Sequence, residues 1–222
     1  MLNFSAEELA QIASHGPWPP AALPADAGKA WQKRPATVAF GRSLFADRRW
    51  SVDGQARCAS CARCASRRMP ALAFQDNQRL PHLRNALPAS VRNTRSLLDG
   101  AQRRWLGWRG EHDSLWAASL APLLAPAEMG HSITSLAAQV RGTPALARAY
   151  CRALGPLPAE DASLVVGVAK ALAAYQAGMV SPRTPFDYFR AALLSLDHRV
   201  TASPRHRALP AGGTTRAAPV PG

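Results

Sequence analysis

Cys58-Ala59-Ser60-Cys61 is a C-x-x-C, and Cys64 extends it to C-x-x-C-x-x-C. Thiols three residues apart on a helical turn reach a single metal, a single cluster or the two vinyl groups of one haem. Each chemistry asks for something more. Zinc wants four ligands and an iron–sulfur cluster four thiolates, but the remaining cysteine, Cys151, stands alone on a predicted helix. A thioredoxin-type pair wants a strand–helix–strand setting, and no stretch here alternates with period two for long enough to make a strand. Covalent haem attachment wants His directly after the second cysteine, where position 62 is Ala. Spacing alone therefore leaves these as structural or metal-binding cysteines, unassigned.

The elements that must position them read as helices. Ser5-Ala6-Glu7-Glu8 is a capping box followed by Leu9, Ile12 and Ala13 at helical spacing, which predicts a helix over 6–15. Gly16-Pro17-Trp18-Pro19-Pro20 stops it, and a Pro-rich loop leads to a second helix over 36–46, with a turn over 47–54. The cysteines are followed by an irregular stretch to Gly110, and loops of that length are usually functional or disordered. Further helices are predicted over 112–124, 132–141, 145–154 (opened by Thr143-Pro144), 160–178 and 185–196. The fold class is all-α with long loops.

Composition narrows the function classes. The chain has 222 residues with 27 Lys+Arg against 14 Asp+Glu, a net charge of +13, and 47% hydrophobic residues. That is too apolar for a fully disordered chain and too poor in cysteine for a disulfide scaffold. The charge is local: 57–109 holds 11 basic residues against Asp76 and Asp99, 199–222 holds four Arg and no acid, and the rest is neutral. No zinc-finger, basic-zipper or RRM signature accompanies those stretches, so nucleic-acid binding is disfavoured. A signal peptide needs an apolar core, whereas 1–30 is broken by Glu7, Glu8, His15 and four prolines; none is expected in this chain. The most apolar stretch, 162–175, is too short to span a bilayer and contains Lys170.

An ordered set of segments then goes further. Phe40-Gly41-Arg42-Ser43-Leu44-Phe45-Ala46-Asp47, the C-A-S-C tetrad, Ala73-Phe74-Gln75-Asp76, Arg92-Asn93-Thr94-Arg95-Ser96-Leu97-Leu98 and Trp105-Leu106-Gly107-Trp108-Arg109-Gly110 follow one another. Asp113-Ser114-Leu115-Trp116, Pro126-Ala127-Glu128-Met129-Gly130, 168–175 and Pro185-Phe186-Asp187 complete the series. In this order, from 36 to about 194, the chain resembles the bacterial di-haem cytochrome c peroxidases and the related methylamine-utilisation (MauG) proteins.

The resemblance implies a cytochrome c-like haem domain over 36–196, preceded by a lead-in over 1–35 and followed by a disordered basic tail over 197–222. It implies an exported, periplasmic oxidoreductase that reduces hydrogen peroxide with electrons from a small c-type cytochrome or cupredoxin. Its cofactors would be haem c and calcium. Carried over by position, Cys58 and Cys61 match the thioether cysteines and Asn93 the calcium-binding Asn. Trp108 matches the tryptophan between the haems, and Glu128 the distal acid/base. A carboxylate over an open iron face can shuttle the proton that peroxide cleavage moves, and a large aromatic can shorten an electron path.

Three departures stand beside the matches. Ala62 replaces the iron-binding His, no second C-x-x-C-H follows, and Arg57-Cys58-Ala59-Ser60 recurs as Arg63-Cys64-Ala65-Ser66. Activity is expected to be impaired accordingly. His82, His112 and His131 are alternative sources of the missing ligand, with His82 ranked first because the resembling family can bring a ligand from this loop; His112 is equally expected to be solvated. Two other classes compete: a non-enzymatic metal or redox module built on Cys58, Cys61 and Cys64, and a basic nucleic-acid-binding fragment.

Overall fold

The computed structural model describes residues 4–20, 27–52, 54, 58 and 95–195 of the chain. Among these are seven α-helices, α1 (Ala6–Ser14), α2 (Pro35–Ala46), α3 (Leu115–Leu124), α4 (Ile133–Gly142), α5 (Pro144–Leu154), α6 (Asp161–Gln176) and α7 (Pro185–Leu194). Three 3-10 turns, Ala27–Lys33, Arg48–Trp50 and Gly100–Gln102, complete the regular structure, and no strand occurs among the described residues. The all-α expectation holds. The basic tail falls outside the described residues.

Helix starts follow their caps. Ser5 Oγ accepts from the Glu8 amide at 3.2 Å while Glu8 answers from the Ser5 amide at 2.8 Å, so the predicted capping box opens α1. Pro35, Pro144 and Pro185 each occupy a first helical turn, where the missing amide hydrogen costs nothing. The helix expected from residue 112 begins three residues later. The His112 amide and carbonyl are already taken by Leu106, at 3.0 and 2.8 Å, in an antiparallel bridge.

The described residues form two compact units, one from within Met1–Ala22 and Pro182–Gly222, the other from within Leu23–Ser181. In the first, α1 and α7 meet through aromatic edges, Phe4 on Phe189 at 5.7 Å and His15 on Phe186 at 5.6 Å. The Arg190 guanidinium donates to the Ala13 carbonyl at 2.7 Å. Neither helix has a fully buried residue.

The second unit is built around α6. Leu164, Val165, Val168, Ala171 and Leu172 are all buried, so this helix is apolar nearly all round, as a central helix must be. Helices α2, α3, α4 and α5 pack on it. Two glycines set the spacing: a Cβ on Gly41 of α2 would lie 1.8 Å from the Ala171 carbonyl oxygen, and one on Gly167 would lie 2.1 Å from the Tyr150 hydroxyl. Thr37, fully buried, donates its hydroxyl to the Ala153 carbonyl at 2.9 Å and so ties α2 to α5.

Candidate functional site

Three loops converge on one side of the second unit. The first follows α2. Asp47 caps the turn Arg48–Trp50, accepting from the Arg49 amide at 2.9 Å. The Val52 amide then donates to the Met129 carbonyl at 3.0 Å, and Gln139 reaches the Arg49 carbonyl at 2.5 Å. These bonds anchor the chain just ahead of Cys58, whose half-buried side chain packs against the hydrophobic core.

The second loop follows α3. Pro126 prevents the helix from continuing, and Gly130 takes φ 74°, a left-handed conformation that glycine adopts without strain. The amides of Glu128 and Gly130 both donate to Ala125, at 3.0 and 2.9 Å, and Met129 to Pro122 at 3.1 Å. This folds the loop back so that Met129 is buried in the core and Glu128 is half-buried beside it. Burial alone raises the Glu128 carboxyl above its ordinary value.

The third segment runs from Arg95 to His112. Asp99, in the left-handed region at φ 57°, donates its amide to the Met179 carbonyl at 2.8 Å and accepts from the Ser181 amide at 3.0 Å. Asp is among the few non-glycine residues that tolerate this conformation. The bridge between Leu106 and His112 then closes a small loop that carries Trp108 outward, 52% exposed, with the Arg95 guanidinium 5.7 Å from its ring centre.

Together these segments line an open cavity of about 310 Å³. Phe45, Leu97, Leu106, Leu115, Pro122 and Met129 give it apolar walls. Cys58, Glu128, His112, Arg95 and Arg103 bring the reactive or charged groups. Pro122 lies inside α3 and has no amide hydrogen to offer the Ala118 carbonyl, and both residues line the same wall. An apolar hollow of this size with a few polar groups on its rim is the usual form of a small-molecule or cofactor site.

Of the residues singled out from the sequence, Cys58 and Glu128 line this one cavity. Trp108 sits on the outer side of the loop whose neighbours Leu106, Gly107 and His112 line it. Cys61, Cys64, His82, Asn93 and position 62 lie outside the described residues. His112 lines the cavity, while His131 hydrogen-bonds through Nδ1 to Ser135 Oγ at 3.0 Å. Sequence reasoning did not single out Arg95 and Arg103; the only signal available was the local excess of arginine. Among the described residues no group of three His, Cys, Asp or Glu could hold a metal ion, and no helix is long and apolar enough to cross a membrane.

Comparison with known proteins gives a consistent result. Residues 35–193 match the family model described as di-haem cytochrome c peroxidase. Methylamine utilization protein MauG of Methylorubrum extorquens is 31% identical over 153 residues, covering 69% of this chain and 40% of that protein. Cytochrome-c peroxidase IdrP1 of Denitromonas iodatirespirans is 32% identical over 182 residues, 79% of this chain and 43% of that protein. Thus the chain spans well under half the length of these relatives. The crystal structure of the diheme peroxidase BthA from Burkholderia thailandensis superposes with a TM-score of 0.55 at 24% identity, over 73% of this chain and 47% of that one, a likeness of fold.

Proposed function

The chain belongs to the di-haem cytochrome c peroxidase family, and from that premise we propose that it is a haem c domain built for peroxide reduction, with its own proton-handling carboxylate. The observation that carries this reading is that Cys58 and Glu128 line one apolar cavity.

The cavity fits a porphyrin in its apolar walls, in the thiol on its rim and in the carboxyl beside it. It departs at one point, since Ala62 offers no donor atom to iron. Cys58 with Cys61 would hold the group through sulfur, and the missing nitrogen would come from His82 or from His112, the imidazole on the cavity wall. Bound there, haem would supply the iron at which a peroxide O–O bond is cleaved.

The chain's own residues have the remaining work. The walls of Phe45, Leu97, Leu106 and Met129 exclude water in part and so strengthen charge interactions beside them. Glu128 takes a proton from one peroxide oxygen and delivers it to the other, so that the departing oxygen leaves as water. Burial raises its pKa and so favours the protonated form, which suits a group that must return a proton as well as accept one. Trp108, matched by position to the tryptophan between the haems, is proposed to shorten the electron path to this haem, with a small c-type cytochrome or cupredoxin as donor, and Asn93 is proposed as a calcium ligand. A periplasmic setting, with 36–196 as the haem-binding domain and 197–222 as a disordered basic tail, belongs to the same reading. The family match favours this reading over the metal-module and nucleic-acid alternatives.

Expression beside a cytochrome c maturation system, followed by a pyridine haemochrome spectrum, tests the proposal. One covalent haem per chain is expected. Its absence from correctly folded protein overturns the reading.

A further inference from the structure

The cavity carries two guanidiniums that nothing described so far uses. Arg95, half-buried, and Arg103, nearer the surface, both line it. Each is held in place by a contact that leaves its charge unneutralised. Arg95 lies over the Trp108 ring at 5.7 Å, and Arg103 donates to the Leu98 carbonyl at 3.0 Å. Among the described residues neither is ion-paired with a carboxylate. The acids nearby do not offset them well. Glu128 is pushed towards its neutral form by burial, and the fully exposed Glu111 accepts from the Arg109 amide at 3.0 Å.

From this cavity geometry we infer that Arg95 and Arg103 form an anion site for a ligand bearing paired carboxylates. Guanidiniums bind carboxylates through two parallel hydrogen bonds, and they are the side chain best suited to do so where water is partly excluded. Direct support comes from their placement: both guanidiniums lie on the wall of one largely apolar cavity, and among the described residues neither is ion-paired with a carboxylate. An incoming pair of carboxylates would neutralise both charges at once.

Two sources share this chemistry: the propionates of a porphyrin seated in the cavity, or a free dicarboxylate. The first rests on the haem reading above, and the second does not. The distinction is testable on the full chain without haem, by fluorescence quenching and calorimetry. Iron(III) protoporphyrin IX is compared with its dimethyl ester, and glutarate is titrated separately, against the native chain, Arg95→Gln, Arg103→Gln and the double variant. Arg95→Lys serves as a charge-conserving variant should the glutamine forms fail to fold, as judged by their melting curves.

Expected is about tenfold or greater preference of the native chain for the diacid porphyrin over the ester, lost in the double variant and partly kept in Arg95→Lys. No such preference, but saturable glutarate binding that the variants lose, supports the site with the free anion as its ligand. Porphyrin acid and ester binding alike, with no glutarate binding, overturns the inference. Covalent haem formed in that last case would leave the haem reading standing, so the two proposals fail separately.

Discussion

Glu128 and Cys58 come from different loops, one after α3 and one after α2, and line the same apolar cavity. The link between the loops is short: the Val52 amide donates to the carbonyl of Met129, the residue next to Glu128. A carboxyl and a thiol are therefore presented together by backbone hydrogen bonds, not by the helices alone.

The Glu128 carboxyl titrates above its ordinary value because it is buried. A folded-state value above the unfolded one means that the protonated form is favoured in the native chain. Its stabilising contribution is fully present below the unfolded pKa and is lost as pH rises through the folded one. Glu128→Gln removes that loss. Melting curves between about pH 4 and about pH 8 should show the variant gaining on the native chain as pH rises. If peroxide turnover is present, the same substitution should cut it by roughly 10²- to 10⁴-fold.

Attachment through Cys58 predicts a graded spectroscopic result. Cys58→Ser should leave a haem bound through one sulfur, shifting the haemochrome band towards that of unattached haem, while Cys64→Ser should leave the spectrum unchanged. Loss of covalent haem in Cys64→Ser alone would reassign the pair.

The iron ligand can be sought in the same preparation. His112→Ala and His82→Ala are each compared with the native chain by absorption and electron paramagnetic resonance. Whichever substitution converts a six-coordinate spectrum to a five-coordinate one identifies the donor.

Thr37 is fully buried with its hydroxyl on the Ala153 carbonyl. Thr37→Val keeps the shape and leaves that carbonyl without its donor, at a cost of about 1–3 kcal/mol. Urea unfolding should show a lower midpoint with an unchanged slope.

Asp99 combines a left-handed backbone with a side chain that accepts from the Ser181 amide. Asp99→Ala loses both advantages and should cost about 1–3 kcal/mol, with faster hydrogen exchange at Ser181. Asp99→Asn, which tolerates the conformation and retains an acceptor oxygen, should cost much less.

Helix positions were legible in the sequence because they depend on local signals: a cap, a first-turn proline, an apolar stripe. Residues 36–46 and 145–154, expected as helices, differ from α2 and α5 by a single residue at one end. The turn Ala27–Lys33 was not legible, because the prolines around it signalled loop and three-residue periodicity leaves little amphipathic pattern. Cys58 and Glu128 were visible as residue types in a familiar order. The partnership of Arg95 and Arg103 was not, since it depends on Asp99 turning the chain back towards Met179 and Ser181.

Gly41 bears on the cavity without touching it. Because its missing side chain lets α2 rest on the backbone of α6 at Ala171, those helices are spaced by main chain, with no rotamer that could yield. Phe45, one turn further along α2, and Gln176, near the end of α6, both belong to the cavity wall. That side of the chamber is thus a fixed reference, and whatever accommodation a guest requires falls to the opposing segments around Arg95, His112 and Glu128.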